Sequence, residues 1–203
     1  MVGCVHPENE PTPANPNMYA DNTLTPREAI RLCALGTLAA KPMAYDDVVF
    51  AVRHFVSRVT GPSLDLMGES VELLKFESLV EETEIGGEIL LQITDQGRGV
   101  LGTLMRTNLR AGSGDINDLV MALKIKFLEF LPEDDQQAQA EILIETCESE
   151  LARLDDLRSH HEEASLHLAE WLDIEIQMLS HRLDWLMALR AEIADKDGSR
   201  KLA

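Results

Sequence analysis

Two glycines in the middle of the chain constrain its fold more than any other feature. Gly86-Gly87 separates Val80-Glu81-Glu82-Thr83-Glu84-Ile85 from Glu88-Ile89-Leu90-Leu91-Gln92, and a glycine pair between two strand-like runs predicts a tight hairpin turn. The stretch just before it, with Leu64, Met67, Val71, Leu74 and Leu79, follows helical spacing instead. A helix running straight into a hairpin has the outline of a recognition helix followed by a wing. The charge of the same stretch points elsewhere: Lys75 is its one base, against Asp65, Glu69, Glu72, Glu77, Glu81, Glu82, Glu84 and Glu88. DNA binding draws most of its affinity from Lys and Arg that neutralise phosphates, so element order and electrostatics pull apart.

Around this segment the sequence predicts a mainly α fold with a small β-hairpin: a disordered tail over 1–22, a winged helix-turn-helix domain over 23–110 and a long-helix dimerisation domain over 111–203. Pro7, Pro11, Pro13 and Pro16 sit among Asn, Glu and Thr in the tail, a composition that buries too little apolar surface to offset ordering. Order is expected from Thr25-Pro26-Arg27-Glu28, which has the residues of a capping box with proline in the first helical position. That helix is expected to run to about Ala40, before Lys41-Pro42, and a second from about Tyr45 to Val59. The recognition helix and hairpin follow, then a helix from Asp95 to about Leu109. Beyond Ala111-Gly112-Ser113-Gly114 the pattern is helical throughout: Ile116 to Leu131, then a long helix after Pro132 to about Arg158, then another from about Glu162 to Asp195. Leu172, Ile176, Leu179, Leu183 and Leu186 are spaced four, three, four, three, the spacing of a coiled-coil seam. Trp171, Ile174, Met178, Trp185 and Leu189 widen the apolar surface beyond that seam, and a second copy of the chain is the simplest cover.

Composition narrows the partners. The 203 residues carry 36 acidic and 18 basic side chains, a formal net charge of -18, which disfavours casual binding to nucleic acid or anionic membrane. The charge is uneven: residues 23–110 hold 9 basic and 12 acidic side chains, net -3, and residues 111–203 hold 9 and 21, net -12. Cys4, Cys33 and Cys147 are odd in number and far apart, giving little support to a disulfide framework or zinc site. A reducing, cytoplasmic setting is expected, with neither a signal peptide nor a spanning helix.

Particular residues then become familiar. Leu35-Gly36-Thr37-Leu38 with Pro42 and Tyr45 resembles the opening helix-to-helix stretch of PadR-like transcriptional regulators. Leu74-Lys75 with Leu79-Val80 is similar to the end of that family's recognition helix, and Ile93-Thr94-Asp95-Gln96-Gly97-Arg98 to its exit from the wing. Leu123-Lys124 with Phe127-Leu128, and Arg182-Leu183-Asp184-Trp185-Leu186, resemble its dimerisation helices. The resemblance runs from about Thr23 to Ile193 and implies a homodimer that binds double-stranded DNA. The sequence departs from the pattern at Ala44 and Ser78, where the family has glycine, and in a wing without Lys or Arg.

Arg53, Arg58, Lys75 and Arg98 are the candidate phosphate contacts, joined by Arg106 and Arg110. Ser63 and Ser70 are candidate donors at the start of the recognition helix, Ser63 equally suiting a helix cap. The dimerisation set is Trp171, Leu172, Ile176, Leu179, Leu183, Trp185 and Leu186. Trp171 and Trp185 suit a ligand cavity between dimer helices or, more economically, plain dimer burial. His160, His161 and His167 lie in an acidic run and suit a metal chemically, but lack the spacing that puts two on one helical face. No phosphate loop or nucleophile elbow occurs, so neither catalysis nor a cofactor is expected. The rival to a DNA-binding regulator is an acidic winged-helix adaptor, or antagonist of a basic partner, that binds a protein through the Glu-rich helix and wing.

Overall fold

The computed structural model describes residues 23–61, 70–109, 114–160 and 166–201. Helix α1 (Pro26–Ala40) opens on the capping box that its sequence encodes. Thr25 Oγ1 accepts from Glu28 N at 3.3 Å, and Glu28 Oε2 accepts from Thr25 N at 2.8 Å. Hydrogen bonds donated by the Thr25 hydroxyl, at 2.7 Å, and by its backbone N–H hold the Glu28 carboxyl below the usual carboxylate range. Helix α2 (Tyr45–Thr60) follows, then α3 (Ser70–Phe76), with Leu64 and Met67 of the expected helix outside the described residues.

Strands β1 (Val80–Ile85) and β2 (Glu88–Ile93) pair antiparallel, Ile85 opposite Glu88 and Val80 opposite Ile93. Gly86 and Gly87 turn between them at φ 65 and 86, values that a two-residue hairpin of the observed hand requires. Met43 extends the hairpin: its N–H donates to Leu91 O at 3.1 Å and its carbonyl accepts from Leu91 N at 2.8 Å, pinning the base of the wing to the α1–α2 connection.

Helix α4 (Asp95–Met105) starts at Thr94, whose Oγ1 accepts from Gly97 N at 3.0 Å. It ends four residues before the Leu109 that periodicity suggested, because the Met105 and Thr107 carbonyls turn to the Lys124 ammonium and Asn108 pairs with Thr23. Helix α5 (Asp115–Lys126) is likewise shorter than the expected run to Leu131, and Leu128–Phe130 forms one 3₁₀ turn. Pro132 disfavours helical geometry at the residue before it, and Leu131 is extended at φ -89, ψ 152.

Helices α6 (Glu133–His160) and α7 (Leu166–Lys201) form a hairpin, antiparallel because Arg158 meets Asp173 while Arg190 meets Glu141. Two cores result. The first gathers α1 to α4, the sheet and α5, with Leu32, Leu35, Val52, Leu74, Leu91 and Leu123 all buried. The second lies between α6 and α7, where Leu143, Ile144 and Cys147 meet Leu172, Leu179 and Leu186. Helix α5 serves both, since Met121 and Ile125 pack on the second. No helix among the described residues is long and apolar enough to cross a membrane.

Candidate nucleic-acid interface

Three helices, a hairpin and a following helix give α3 the place of a recognition helix beside a wing. Its inward side, Val71 and Leu74, is buried in the first core, and its outward side is Glu72, Leu73 and Phe76. Phe76, 86% exposed, is the most open large apolar side chain of the described residues. The helix ends in a left-handed cap. Ser78 N donates to Lys75 O at 3.0 Å, and Leu79 N donates to Leu74 O at 2.9 Å, the bond pattern of a Schellman motif. Ser78 takes the positive φ of 59 that this motif demands.

The wing is tied down behind this cap. Thr94 N donates to Leu79 O at 3.0 Å and Thr94 Oγ1 to Ser78 O at 2.8 Å. Gly97 lies so close to the Leu79 carbonyl that a Cβ would collide with backbone. The run from Ile93 to Gly97 thus works as a joint between wing and α4.

The candidate bases separate into two groups. Lys75 is committed: its Nζ lies 2.6 Å from Glu82 Oε1 on β1, a contact that raises its pKa. Arg31 is held by Glu77 and Arg106 by Asp135. Arg53 and Arg58 on α2 and Arg98 on α4 are exposed and form no ion pair among the described residues. Beside Arg53, Phe50 stacks on His54 with ring centroids 5.8 Å apart on the same exposed surface. Ser70 opens α3, while Ser63 and Arg110 lie outside the described residues. The wing itself presents Glu81, Glu82, Glu84 and Glu88 with Ile85 and Ile89, all exposed.

The dimerisation candidates also divide. Leu172, Leu179 and Leu186 are already buried in one chain against α6, with Ile176 and Leu183 partly buried beside them. A separate face of α7 stays open: Trp171 at 51%, Ile174 at 57%, Met178 at 52% and Trp185 at 48% exposure recur at helical spacing. Trp185 and Arg182 also line a cleft of about 440 Å³ between the end of α2, α5 and α7; Trp171 does not. Among the described residues no group of histidine, cysteine and carboxylate side chains has a metal-holding arrangement, and His161 lies outside them. Cys33 and Cys147 are free and buried, and burial pushes the Cys33 thiol up to about 11.

Lys124, which the sequence marks only as part of the Leu123-Lys124 resemblance, is fully buried with its Nζ 2.6 Å from each of Met105 O, Thr107 O and Gln139 Oε1. Its acceptors are two backbone carbonyls and an amide far along the chain, which no side-chain pattern marks.

A family model described as "Putative AphA-like transcriptional regulator" matches residues 19–190. Solved structures that the chain matches include the PadR-like transcriptional regulator BC1756 from Bacillus cereus, at 18% identity over 82% of this chain and 99% of that one, TM-score 0.36. Bacillus subtilis PadR in complex with p-coumaric acid matches at 13% identity over 85% and 99%, TM-score 0.36. The same protein in complex with operator DNA matches at 14% identity over 81% and 98%, TM-score 0.33. No curated protein matches the chain significantly.

Proposed function

The chain belongs to the AphA-like family of transcriptional regulators, and from that premise we propose that it is a dimeric regulator that binds operator DNA through its winged helix. The observation that carries the reading is the extent of the family match, residues 19–190, which takes in the winged helix and most of the long hairpin. In this reading each protomer offers α3 to a major groove, and the hairpins of two protomers set the separation of the half-sites. Phosphate contacts fall to Arg53, Arg58 and Arg98, the candidate bases that no carboxylate of the described residues occupies. Ser70, and Ser63 before it, are the proposed polar donors at the start of the recognition helix. The open α7 stripe of Trp171, Ile174, Met178 and Trp185 is the proposed dimer surface, while Leu172, Leu179 and Leu186 stiffen the hairpin beneath it. In this reading the protein is a regulator and not an enzyme, acts in the cytoplasm and needs no cofactor.

One observation favours a second reading. Lys75 is neutralised by Glu82, so α3 and the wing together present carboxylates and apolar side chains, a surface that suits a basic protein partner better than phosphate. Glu72→Lys separates the two. On a DNA-binding surface it raises affinity for random duplex by replacing a repulsive charge with an attractive one. On a protein-binding surface it abolishes the complex. Wild-type protein that binds no promoter-region duplex at low salt, yet retains from lysate a partner that Glu72→Lys loses, would displace the first reading by the second.

A further inference from the structure

The exit of α4 meets the start of α6 at two cations. Lys124, near the end of α5, spends all three ammonium protons, on Met105 O, Thr107 O and Gln139 Oε1. Met105 closes α4, whose final carbonyls carry the partial negative charge of a helix end. Gln139 is buried on α6. One turn before Gln139, Asp135 accepts from Arg106 Nε at 3.0 Å, and Arg106 is the C-cap residue of α4. Residues 105–107 are therefore fastened to one face of α6 by two side chains, of which only Lys124 is buried. Burial pushes its pKa down to about 8, which leaves it charged at neutral pH.

The surrounding packing lacks such directionality. Helix α5 touches the winged helix through Leu119 and Leu123 and the long hairpin through Met121 and Ile125, apolar contacts that tolerate sliding because the hydrophobic effect is non-directional. Three short hydrogen bonds from one ammonium to two carbonyls and one amide admit a single geometry. In a buried site each bond left unmade is unfavourable.

We propose that Lys124 is the positioning residue that fixes the angle between the winged helix and the α6–α7 hairpin, and through it the separation at which a dimer presents its two α3 helices. The first half stands on the geometry alone; the second rests on the DNA-binding reading. Two measurements on the full chain test them separately.

Spin labels at Asp47→Cys on α2 and Ser149→Cys on α6, in a Cys4→Ser background diluted with unlabelled protein, report the angle without DNA. Wild type and Gln139→Glu, which keeps an acceptor for Lys124, should give one narrow distance distribution. Lys124→Met, and the double variant Lys124→Met with Gln139→Leu that removes both polar side chains, should give a broadened or displaced one. A folded variant with the wild-type distribution would overturn the proposal. So would loss of folding in both variants, since Lys124 would then be a folding residue and not a positioning one.

The second measurement uses a duplex that the wild type enriches from a random pool. Changing the half-site separation by two base pairs should cost wild type about tenfold in affinity and the double variant less than about threefold. Equal losses would overturn the spacing role. Failure of the wild type to enrich any duplex would overturn the DNA-binding reading and the spacing role with it, while the distance measurement would still decide the angle.

Discussion

Ser78 holds a left-handed backbone at φ 59 at the position where PadR-like regulators, which the sequence resembles, place glycine. The Schellman bonds from Ser78 N and Leu79 N, and the burial of Leu79 beside Leu74, over-determine the geometry, so the serine is carried by its neighbours. A side chain in this region costs of order 1–2 kcal/mol, partly offset by the freedom that glycine loses on folding. Ser78→Gly is therefore expected to stabilise the fold by about 0.5–1 kcal/mol, read as a higher urea midpoint at unchanged slope; a lower midpoint would contradict the strain. The departure at Ser78 was visible in the sequence, but its sign was not, because nothing in the residue order states the φ. Gly97 illustrates the converse. It stood out as part of a motif, and the structure supplies the cause, the Leu79 carbonyl lying where a Cβ would go.

At the scale of elements, local signals were legible and long-range ones were not. Thr25 with Glu28, and Gly86 with Gly87, announced their structures because the atoms that decide them are within three residues of one another. The end of α4 is not legible in the sequence because it is decided at a distance, by Lys124 and Thr23, and that of α5 because its last turn tightens into the 3₁₀ turn Leu128–Phe130, whose residues fit the same apolar pattern. The coiled-coil spacing of Leu172, Leu179 and Leu186 correctly marked buried positions, yet spacing cannot name the partner, and here it is α6 of the same chain.

The junction between α4 and α6 also yields a pH dependence. Lys124 loses its proton at about pH 8 in the folded chain, against 10.5 for a solvated lysine. Between those values the unfolded state binds more protons, so this group makes stability rise with pH. The gain across the window is at most about 3 kcal/mol, and below pH 8 it is absent. The stability difference between wild type and Lys124→Met should change in favour of wild type from pH 8 towards 10; a difference that stays constant would contradict burial of the charge.

For the whole molecule, the sequence placed most of the acidity in residues 111–203 and foresaw apolar surface on the last helix beyond one neighbour's reach. It did not reveal which bases are engaged, because Lys75 and Glu82 sit on different elements. The α7 stripe gives a direct test of assembly. Ile174→Asp with Met178→Asp should leave the hairpin core intact and give a folded monomer by sedimentation, whereas Leu179→Asp should unfold the hairpin. A wild-type monomer at micromolar concentration would refute the dimer.

The central proposal, DNA binding by a few arginines that form no ion pair among the described residues of an acidic protein, is tested most directly by the salt dependence of affinity for a duplex that the wild type enriches. If the proposed dimer places Arg53, Arg58 and Arg98 of both protomers on phosphates, about six contacts result, and a slope of log affinity against log salt near -5 is expected. Arg98→Ala removes two of them and should flatten that slope by about 2. A slope near zero, or one unchanged in Arg53→Ala, Arg58→Ala and Arg98→Ala alike, would contradict the account.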